Sequence, residues 1–358
     1  MSTLMIMAGG TGGHVYPALA VAQTLQSDGV NIFWLGTKEG IEGRVVPANN
    51  IDIEWISISG IKGKGPIALI AAPFKILFAM LQTAAVIYRR RPDAALGMGG
   101  FVSGPGGLMT RLLMVPLLVH ESNAVVGLTN KWLAKIANRV MVGFPEVLIN
   151  NRNHYYVGNP VRRSIAAIPS PEQRLQDRQG KLNLLVVGGS LGALALNETV
   201  PAAIARMTPE DRPRVMHQVG RGKLETTRQQ YQQLGLHADC MEFIEDMASA
   251  YAWADLVICR AGAMTVAEIA AAGVVAVFVP YPYAIYDHQT LNARFLSDQE
   301  AAFLMPQEQF TAERLSALLA ELTEDRPRLL ELSLRARQSA LPDATRKVAD
   351  ICNEVMHA

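Results

Sequence analysis

Two glycine-rich loops, about half a chain apart, constrain this fold more than any other feature. Gly9-Gly10-Thr11-Gly12-Gly13-His14 follows the apolar run at 4–8, and Gly188-Gly189-Ser190-Leu191-Gly192-Ala193 follows the one at 184–187. Each reads as strand, tight loop, helix. In an α/β sheet that junction sets backbone N–H groups and a helix amino terminus at the carboxyl edge of the strands. Two such junctions predict twin α/β domains, and 358 residues are enough for both.

Apolar runs alternate with helical periodicity along the chain. Strands are predicted at 3–8, 32–35, 53–58, 94–98, 117–120, 139–142 and 155–157, then at 184–187, 215–219, 241–244, 256–259, 275–279 and 301–304. Most spacers are long enough for a crossover helix, which predicts parallel sheets. The polar stretch 169–181, with Ser170-Pro171 and Gly180, reads as a linker. A last helix at about 344–356 follows the break Leu341-Pro342-Asp343. The expected fold is α/β, with two Rossmann-like domains whose parallel sheets face across a cleft. The expected domains are 1–163 and 164–341, with 342–358 a candidate to pack back on the first.

Charge and cysteine content narrow the function classes. With 33 basic and 32 acidic side chains the net charge is +1, which argues against a nucleic-acid surface. Cys240, Cys259 and Cys352 are widely spaced and odd in number, as in a reduced cytoplasmic protein without a disulfide framework. No basic region precedes the run at 4–8, so no secretory leader is expected. The greasiest stretch, 67–81, is broken by Pro73 and Lys75 and falls short of the ~20 apolar residues of a spanning helix. A soluble or peripheral protein is expected.

The loops themselves limit the ligand. Gly10-Thr11-Gly12 begins a dinucleotide fingerprint, but Val15 stands where its third glycine belongs, and the second loop lacks the Gly-x-Gly core. No Walker lysine follows either loop. A hydride-transfer cofactor is therefore disfavoured. What remains is a backbone that admits a diphosphate, or a sugar leading into one. His14, at the start of the first helix, has a reference pKa of ~6.5 and suits proton abstraction from a hydroxyl; a histidine that only packs at the turn fits as well. A third glycine-rich stretch, 97–107, reads as a flexible loop with room for a bulky ligand.

Polar groups at the other strand ends carry double readings. His120-Glu121-Ser122-Asn123 suits sugar hydroxyls or caps the next helix. Arg162, in Gly158-Asn159-Pro160-Val161-Arg162, and Arg260 are placed to offset phosphate charge or to form surface ion pairs. In Ala263-Met264-Thr265-Val266-Ala267-Glu268, Glu268 is set to accept the two hydroxyls of a ribose, while Thr265 and Glu268 also fit a capping box. Asp287-His288-Gln289-Thr290, with Asn292, offers further groups to a sugar. No Asp-x-Asp occurs, so no carboxylate-held metal is expected, and a leaving diphosphate would be stabilised by helix amino termini and arginines.

Together these segments, with Glu242-Phe243-Ile244, resemble the bacterial undecaprenyldiphospho-muramoylpentapeptide β-N-acetylglucosaminyltransferases, the glycosyltransferases of the peptidoglycan lipid intermediate. The resemblance runs from Met5 to about Val348. It implies the B-type glycosyltransferase architecture, metal-independent inverting transfer without a cofactor, and UDP-N-acetylglucosamine as donor. The acceptor would be the 4-hydroxyl of undecaprenyl-diphosphate-linked muramoyl-pentapeptide. Substrate binding would fall to Thr11, Gly12, Gly13, Asn123, Arg162, Ser190, Ile244, Arg260, Ala263, Met264, Thr265, Val266, Ala267, Glu268 and Gln289, with Ile244 framing the uracil. His14 and Asn123 would be catalytic, His14 as base. The C-terminal domain would take the UDP-sugar and the N-terminal one the acceptor and the membrane. Departures from the family pattern are Leu191 for a common glutamine, Tyr286 for a frequent acidic residue and Val275 for a common proline.

The resemblance also bears on the greasy stretch. Ile67, Ile70, Phe74, Leu77 and Leu81 recur at helical steps, accompanied by Lys62, Lys64 and Lys75, with Lys131 and Lys135 as further candidates. By periodicity alone this is a core-facing helix. A lipid-linked acceptor makes it a contact with an anionic bilayer, at the cytoplasmic face of the inner membrane, where other cell-wall synthesis or division proteins are expected partners. The rival readings are a UDP-sugar 2-epimerase, a glycolipid transferase with another acceptor, and a non-catalytic nucleotide-sugar binder.

Overall fold

A computed structural model describes the chain at residues 2–59, 66–147, 152–176 and 178–358, and the side chains within these except those of 66–71 and 285. The chain divides into two compact units: Met1–Arg162 with Leu341–Ala358, and Arg163–Ala340. The first unit runs β1 (Thr3–Ala8), α1 (Gly12–Ser27), β2 (Asn31–Gly36), α2 (Glu42–Ala48), β3 (Asp52–Trp55), α3 (Pro66–Arg90), β4 (Ala94–Gly99), α4 (Ser103–Leu112), β5 (Leu117–Glu121), α5 (Leu128–Leu133), β6 (Arg139–Val142) and β7 (His154–Tyr156). The second runs α6 (Arg163–Ala166), α7 (Pro171–Leu175), β8 (Asn183–Val187), α8 (Leu194–Ala205), β9 (Arg214–Gln218), α9 (Leu224–Gln233), β10 (Asp239–Met241), α10 (Met247–Trp253), β11 (Leu256–Cys259), α11 (Ala263–Ala272), β12 (Val275–Phe278), α12 (His288–Ser297), β13 (Phe303–Leu304), α13 (Ala312–Glu324) and α14 (Arg326–Gln338). The last helix, α15 (Ala344–Met356), belongs to the first unit and packs on α1.

Among the described residues the first sheet has the order β3-β2-β1-β4-β5-β6-β7 and the second β10-β9-β8-β11-β12-β13, with every pairing parallel. Alternation along β1 shows why its sequence is apolar from Leu4 to Ala8. Leu4, Ile6 and Ala8 enter one core with Val348 and Cys352 of α15, while Met5 and Met7 enter the opposite core with Ala79, Val86 and Val102. In the second sheet Leu184 and Val186 pack against Leu196 and Val200 of α8 and Leu315 and Leu319 of α13.

Four local expectations are corrected. β3 stops at Trp55, short of Ile58, because the Ser57 N–H donates to Gln82 Oε1 of α3 at 2.7 Å and leaves the ladder. β10 covers 239–241, short of the expected 244, because the Ile244 N–H donates to the Gln218 side chain at 3.3 Å. The stretch 169–181 is no linker. Ser170 and Gln173 close a capping box on α7, Arg174 donates to the Ala272 and Gly273 carbonyls, and Arg178 pairs with buried Asp255 at 2.7 Å. The stretch 97–107 is loop only at 100–102: β4 runs to Gly99, α4 begins at Ser103, and Gly106 lies where a Cβ would stand 2.6 Å from Met7 Sδ. Its glycine serves close packing of the helix on the sheet.

Candidate functional site

In each sheet the strand order reverses between two central strands, β1 and β4 in the first, β8 and β11 in the second. That is where doubly wound sheets bind ligands, outside the carboxyl ends of the strands.

In the first unit, the indole N–H of buried Trp34 donates to the Ala8 carbonyl at 2.8 Å, where β1 gives way to the glycine loop. Gly100 (φ +85°) meets this loop backbone to backbone: a Cβ would stand 2.2 Å from the Gly9 carbonyl oxygen, so only glycine fits. The first bond of α1 runs from the His14 N–H to the Thr11 carbonyl at 3.1 Å, so the N–H groups of Gly12 and Gly13 stand ahead of the helical ladder. Such groups suit an anionic or hydroxyl ligand. His14 Nδ1 lies 3.3 Å from Thr11 Oγ1, and its ring lies against Gly99. Burial pushes the imidazole below its ordinary pKa, opposed by Glu121, a Gly9 backbone hydrogen bond and Glu42. The neutral, proton-accepting form is thereby favoured.

Glu121 ends β5 as a buried carboxylate. It accepts from Asn123 N at 2.9 Å and Nδ2 at 3.2 Å, and from Gly127 N and Asn130 Nδ2 at 2.9 Å each. Both its oxygens are taken up by the loop after β5 and by Asn130 of α5, and the sugar-hydroxyl reading of Glu121 is corrected to a role in shaping that loop around Asn123. His120 Nε2 lies 3.0 Å from the Gly158 carbonyl oxygen, Asn159 Nδ2 donates to the Ser122 carbonyl at 3.0 Å, and Arg162 stacks over the Tyr16 ring at 5.5 Å. Thr11, Gly12, Gly13 and His14, Asn123, and Arg162 over Tyr16 thus all lie toward the carboxyl edge of the first sheet.

In the second unit, the loop 188–193 meets the segment 219–223 in the same backbone-on-backbone way. Gly192 has φ +69°, and a Cβ there would stand 2.0 Å from the Val219 carbonyl oxygen. The Arg221 N–H donates to the Ser190 carbonyl at 3.2 Å and Lys223 Nζ to that of Leu191 at 2.8 Å, leaving Ser190 and Leu191 exposed at the tip. α11 begins at Ala263 with Gly262 as its cap, one turn earlier than a Thr265 cap requires. The expected capping box is therefore absent, and Glu268 instead accepts from the buried Tyr251 hydroxyl at 3.3 Å. The first α11 bond runs from Val266 N–H to the Gly262 carbonyl at 3.0 Å, so the N–H groups of Ala263, Met264 and Thr265 precede the ladder. Val266 is wholly buried and Ala267 partly so.

Three expected contacts are used inside the fold. Arg260 donates to the Val279 carbonyl at 2.9 Å, the Pro280 carbonyl at 3.1 Å and Gln307 Oε1 at 2.6 Å, and burial lowers its pKa. Gln289 Oε1 accepts from Tyr281 N at 2.9 Å, and buried Asn292 donates to the Ala261 carbonyl at 3.1 Å. Arg260 and Gln289 brace the segment after β12, and Asn292 the turn into α11. Ile244 is buried with its N–H on Gln218. Tyr286 (φ 55°) and Asp287 (φ 52°) both sit in the left-handed region just before α12. Among the described residues no group of three or more His, Cys, Asp or Glu side chains is arranged to hold a metal ion. Sequence reasoning missed Glu42, Gln218 and Tyr251, which reach Gly10, Ile244 and Glu268 across 32, 26 and 17 positions.

On the first unit, α3 exposes Phe74 (73%), Leu77 (55%) and Leu81 (58%) with Lys75, and α5 exposes Trp132 with Lys135 Nζ 4.2 Å over its ring. α4, packed against both helices, exposes Leu108 and Leu112. Lys62, Lys64 and the side chains of Ile67 and Ile70 lie outside the described residues. Among the described residues no helix is long and apolar enough to cross a membrane.

Comparison with known proteins agrees with this frame. Residues 4–142 match the glycosyltransferase family 28 N-terminal domain and 183–350 the family 28 C-terminal domain. The chain is 52% identical over 352 residues to a Bordetella petrii UDP-N-acetylglucosamine--N-acetylmuramyl-(pentapeptide) pyrophosphoryl-undecaprenol N-acetylglucosamine transferase, covering 98% of this chain and 97% of the relative. It is 50% identical over 353 residues to the Cupriavidus metallidurans protein of the same name, covering 99% and 98%. The crystal structure of Acinetobacter baumannii MurG superposes with a TM-score of 0.84 at 43% identity, covering 99% of this chain and 100% of that one. Two parallel α/β units, each with its glycine loop at the switch point, and identity of about half along nearly the whole length show that the chain belongs to glycosyltransferase family 28, among the transferases of this name.

Proposed function

We propose that this chain transfers N-acetylglucosamine from UDP-N-acetylglucosamine to the 4-hydroxyl of undecaprenyl-diphosphate-linked muramoyl-pentapeptide, with inversion at the anomeric carbon and without a metal ion. One observation carries the substrates: relatives at 48–52% identity over nearly all of both chains bear a single transferase name for this donor and acceptor. The second unit takes the donor. Glu268 accepts the ribose hydroxyls, and Ser190 with the N–H groups that open α11 meets the diphosphate. The first unit takes the acceptor, with Asn123 and the loop at Thr11, Gly12 and Gly13 orienting the sugar and Arg162 offsetting phosphate charge.

In the transfer step the acceptor oxygen attacks the anomeric carbon while His14 takes its proton. The bond from that carbon to the diphosphate oxygen breaks, and UDP leaves with the electron pair. Amide dipoles aimed at the diphosphate stabilise the charge that develops there. The apolar and basic helices α3, α4 and α5 suit peripheral attachment to the anionic cytoplasmic face of the bacterial inner membrane.

The test is transfer of labelled N-acetylglucosamine from its UDP donor to a short-chain lipid-linked muramoyl-pentapeptide in the presence of a chelator. A disaccharide product is expected. Turnover of the donor without acceptor, as an epimerase would show, or donor binding with no turnover, rejects the reading.

A further inference from the structure

Glu42, the first residue of α2, is a fully buried carboxylate whose two oxygens both accept. Gly10 N donates to Oε2 at 3.0 Å; Thr37 N and Thr37 Oγ1 donate to Oε1 at 3.1 and 2.7 Å. Three glycines clear the space around it. A Cβ on Gly9 would stand 2.7 Å from Oε1, one on Gly36 would stand 2.9 Å from Cγ, and one on Gly40 would stand 2.1 Å from Oε2. A side chain this enclosed has little freedom to move, and the loop it grips is the one that carries Thr11, Gly12, Gly13 and His14. The charged group thus joins the ends of β1 and β2 at the switch point of the first sheet.

We infer that Glu42 is a positioning residue for the transfer step: its carboxylate pins the first glycine loop through the Gly10 N–H and so sets the place of the His14 imidazole. This rests on the reading of His14 as base given above. The groups that bear on His14 are Glu121 from the end of β5, the Gly9 backbone from its own loop and Glu42 from α2, with Arg162 stacked on Tyr16 one half-turn along α1. Both carboxylates raise the imidazole's proton affinity, so removing either charge lowers it.

The experiment compares Glu42→Gln and Glu42→Asp with the unaltered full-length protein. Readouts are steady-state kinetics against pH, UDP binding by calorimetry and thermal melting. Glu42→Gln is expected to lower kcat about 100-fold, as ångström-scale misplacement of a reacting group does. The acid limb of its kcat/KM profile should move to lower pH, with UDP affinity unchanged. Glu42→Asp, which keeps the charge on a shorter stem, should lose kcat with a smaller movement of that limb. Retention of kcat within about twofold in Glu42→Gln overturns the inference. So does an unmoved acid limb, or loss of UDP affinity and melting temperature in step with activity in both variants, which marks a merely structural support. Failure of the unaltered protein to transfer sugar is a different result, and it strikes the functional reading instead.

Discussion

The Tyr251 hydroxyl, buried in the second unit, donates to Glu268 Oε2 at 3.3 Å across two adjacent helices, α10 and α11. The bond fixes a carboxylate in the second turn of α11, where a ribose would present its hydroxyls. Glu268→Ala is expected to weaken UDP binding about 10- to 100-fold, the loss of charge-assisted hydrogen bonds worth ~1.5–3 kcal/mol. Tyr251→Phe, which leaves the carboxylate in place without its guide, should weaken binding only about threefold. Calorimetric titration with UDP reads both, and unchanged affinity in Glu268→Ala rejects the ribose assignment.

His217 on β9 is wholly buried, with Nδ1 3.0 Å from the Tyr231 hydroxyl and Nε2 3.2 Å from Asn197 Oδ1. Burial pushes its pKa down to about 3. In the unfolded chain it titrates near ~6.5, so between these values the unfolded state holds the extra proton. Stability from this site is therefore whole above the unfolded value and is lost as pH falls toward the folded one. The loss approaches ~1.4 kcal/mol per pH unit. His217→Gln keeps a polar side chain at this position that does not titrate. Between pH 7 and pH 4.5 it should lose about 2–3 kcal/mol less stability than the parent in urea unfolding. An identical pH slope would sink the assignment.

Much of this architecture is legible in the residues because a strand buried on both faces reads as an unbroken apolar run. Runs at 3–8, 139–142 and 256–259 are β1, β6 and β11, and the periodic segment 344–356 is α15. Where a side chain intercepts the backbone, sequence reading fails. Gln82 takes the Ser57 N–H and shortens β3; Gln218 takes the Ile244 N–H and shortens β10. Around the candidate site the loops are visible as glycines, but their supports are not. Glu42 reaches Gly10 across 32 positions and Tyr251 reaches Glu268 across 17, and no local pattern marks either pair. Arg260 looks like a phosphate ligand by its place after β11, yet its guanidinium closes on the Val279 and Pro280 carbonyls.

Arg178 shows how the polar stretch 169–181 becomes part of the second unit. Its Nη1 lies 2.7 Å from Asp255 Oδ1 and 2.6 Å from the Trp253 carbonyl oxygen, while Arg326 Nη1 and Asn183 N reach Asp255 Oδ2 at 3.0 and 2.9 Å. Asp255 is nearly inaccessible, so removing one arginine leaves a buried charge half matched. Arg178→Ala is expected to cost about 3 kcal/mol in denaturant unfolding, near the low end for a broken buried pair because Arg326 remains. Asp255→Ala should cost more, since it strands two arginines and the Asn183 N–H. A loss under about 0.5 kcal/mol for Arg178→Ala would mean that the segment is a tether after all.

The exposed face of α3 is the clearest departure from burial in the first unit. Phe74, Leu77 and Leu81 lie at steps of three and four and are each more than half exposed, and Lys75 stands among them. If this stripe served only solubility, its apolar groups would be a liability. Against an anionic bilayer the same groups bury apolar area, while Lys75, Lys131 and Lys135 meet headgroup charge at about 1 kcal/mol each. Lys75→Glu combined with Lys131→Glu should therefore lower partition onto vesicles of anionic lipid about 25-fold or more at low salt, roughly fivefold per lysine lost. Raising the ionic strength should shrink that difference, because exposed charges are screened within about 10 Å at 0.1 M salt. Leu77→Asp should weaken partition at every salt concentration, since it removes apolar contact instead of long-range attraction. Sedimentation with vesicles measures all three, with UDP binding as the control for folding. If both variants bind vesicles as the parent does, the bilayer assignment of this face is wrong, and the stripe awaits another partner.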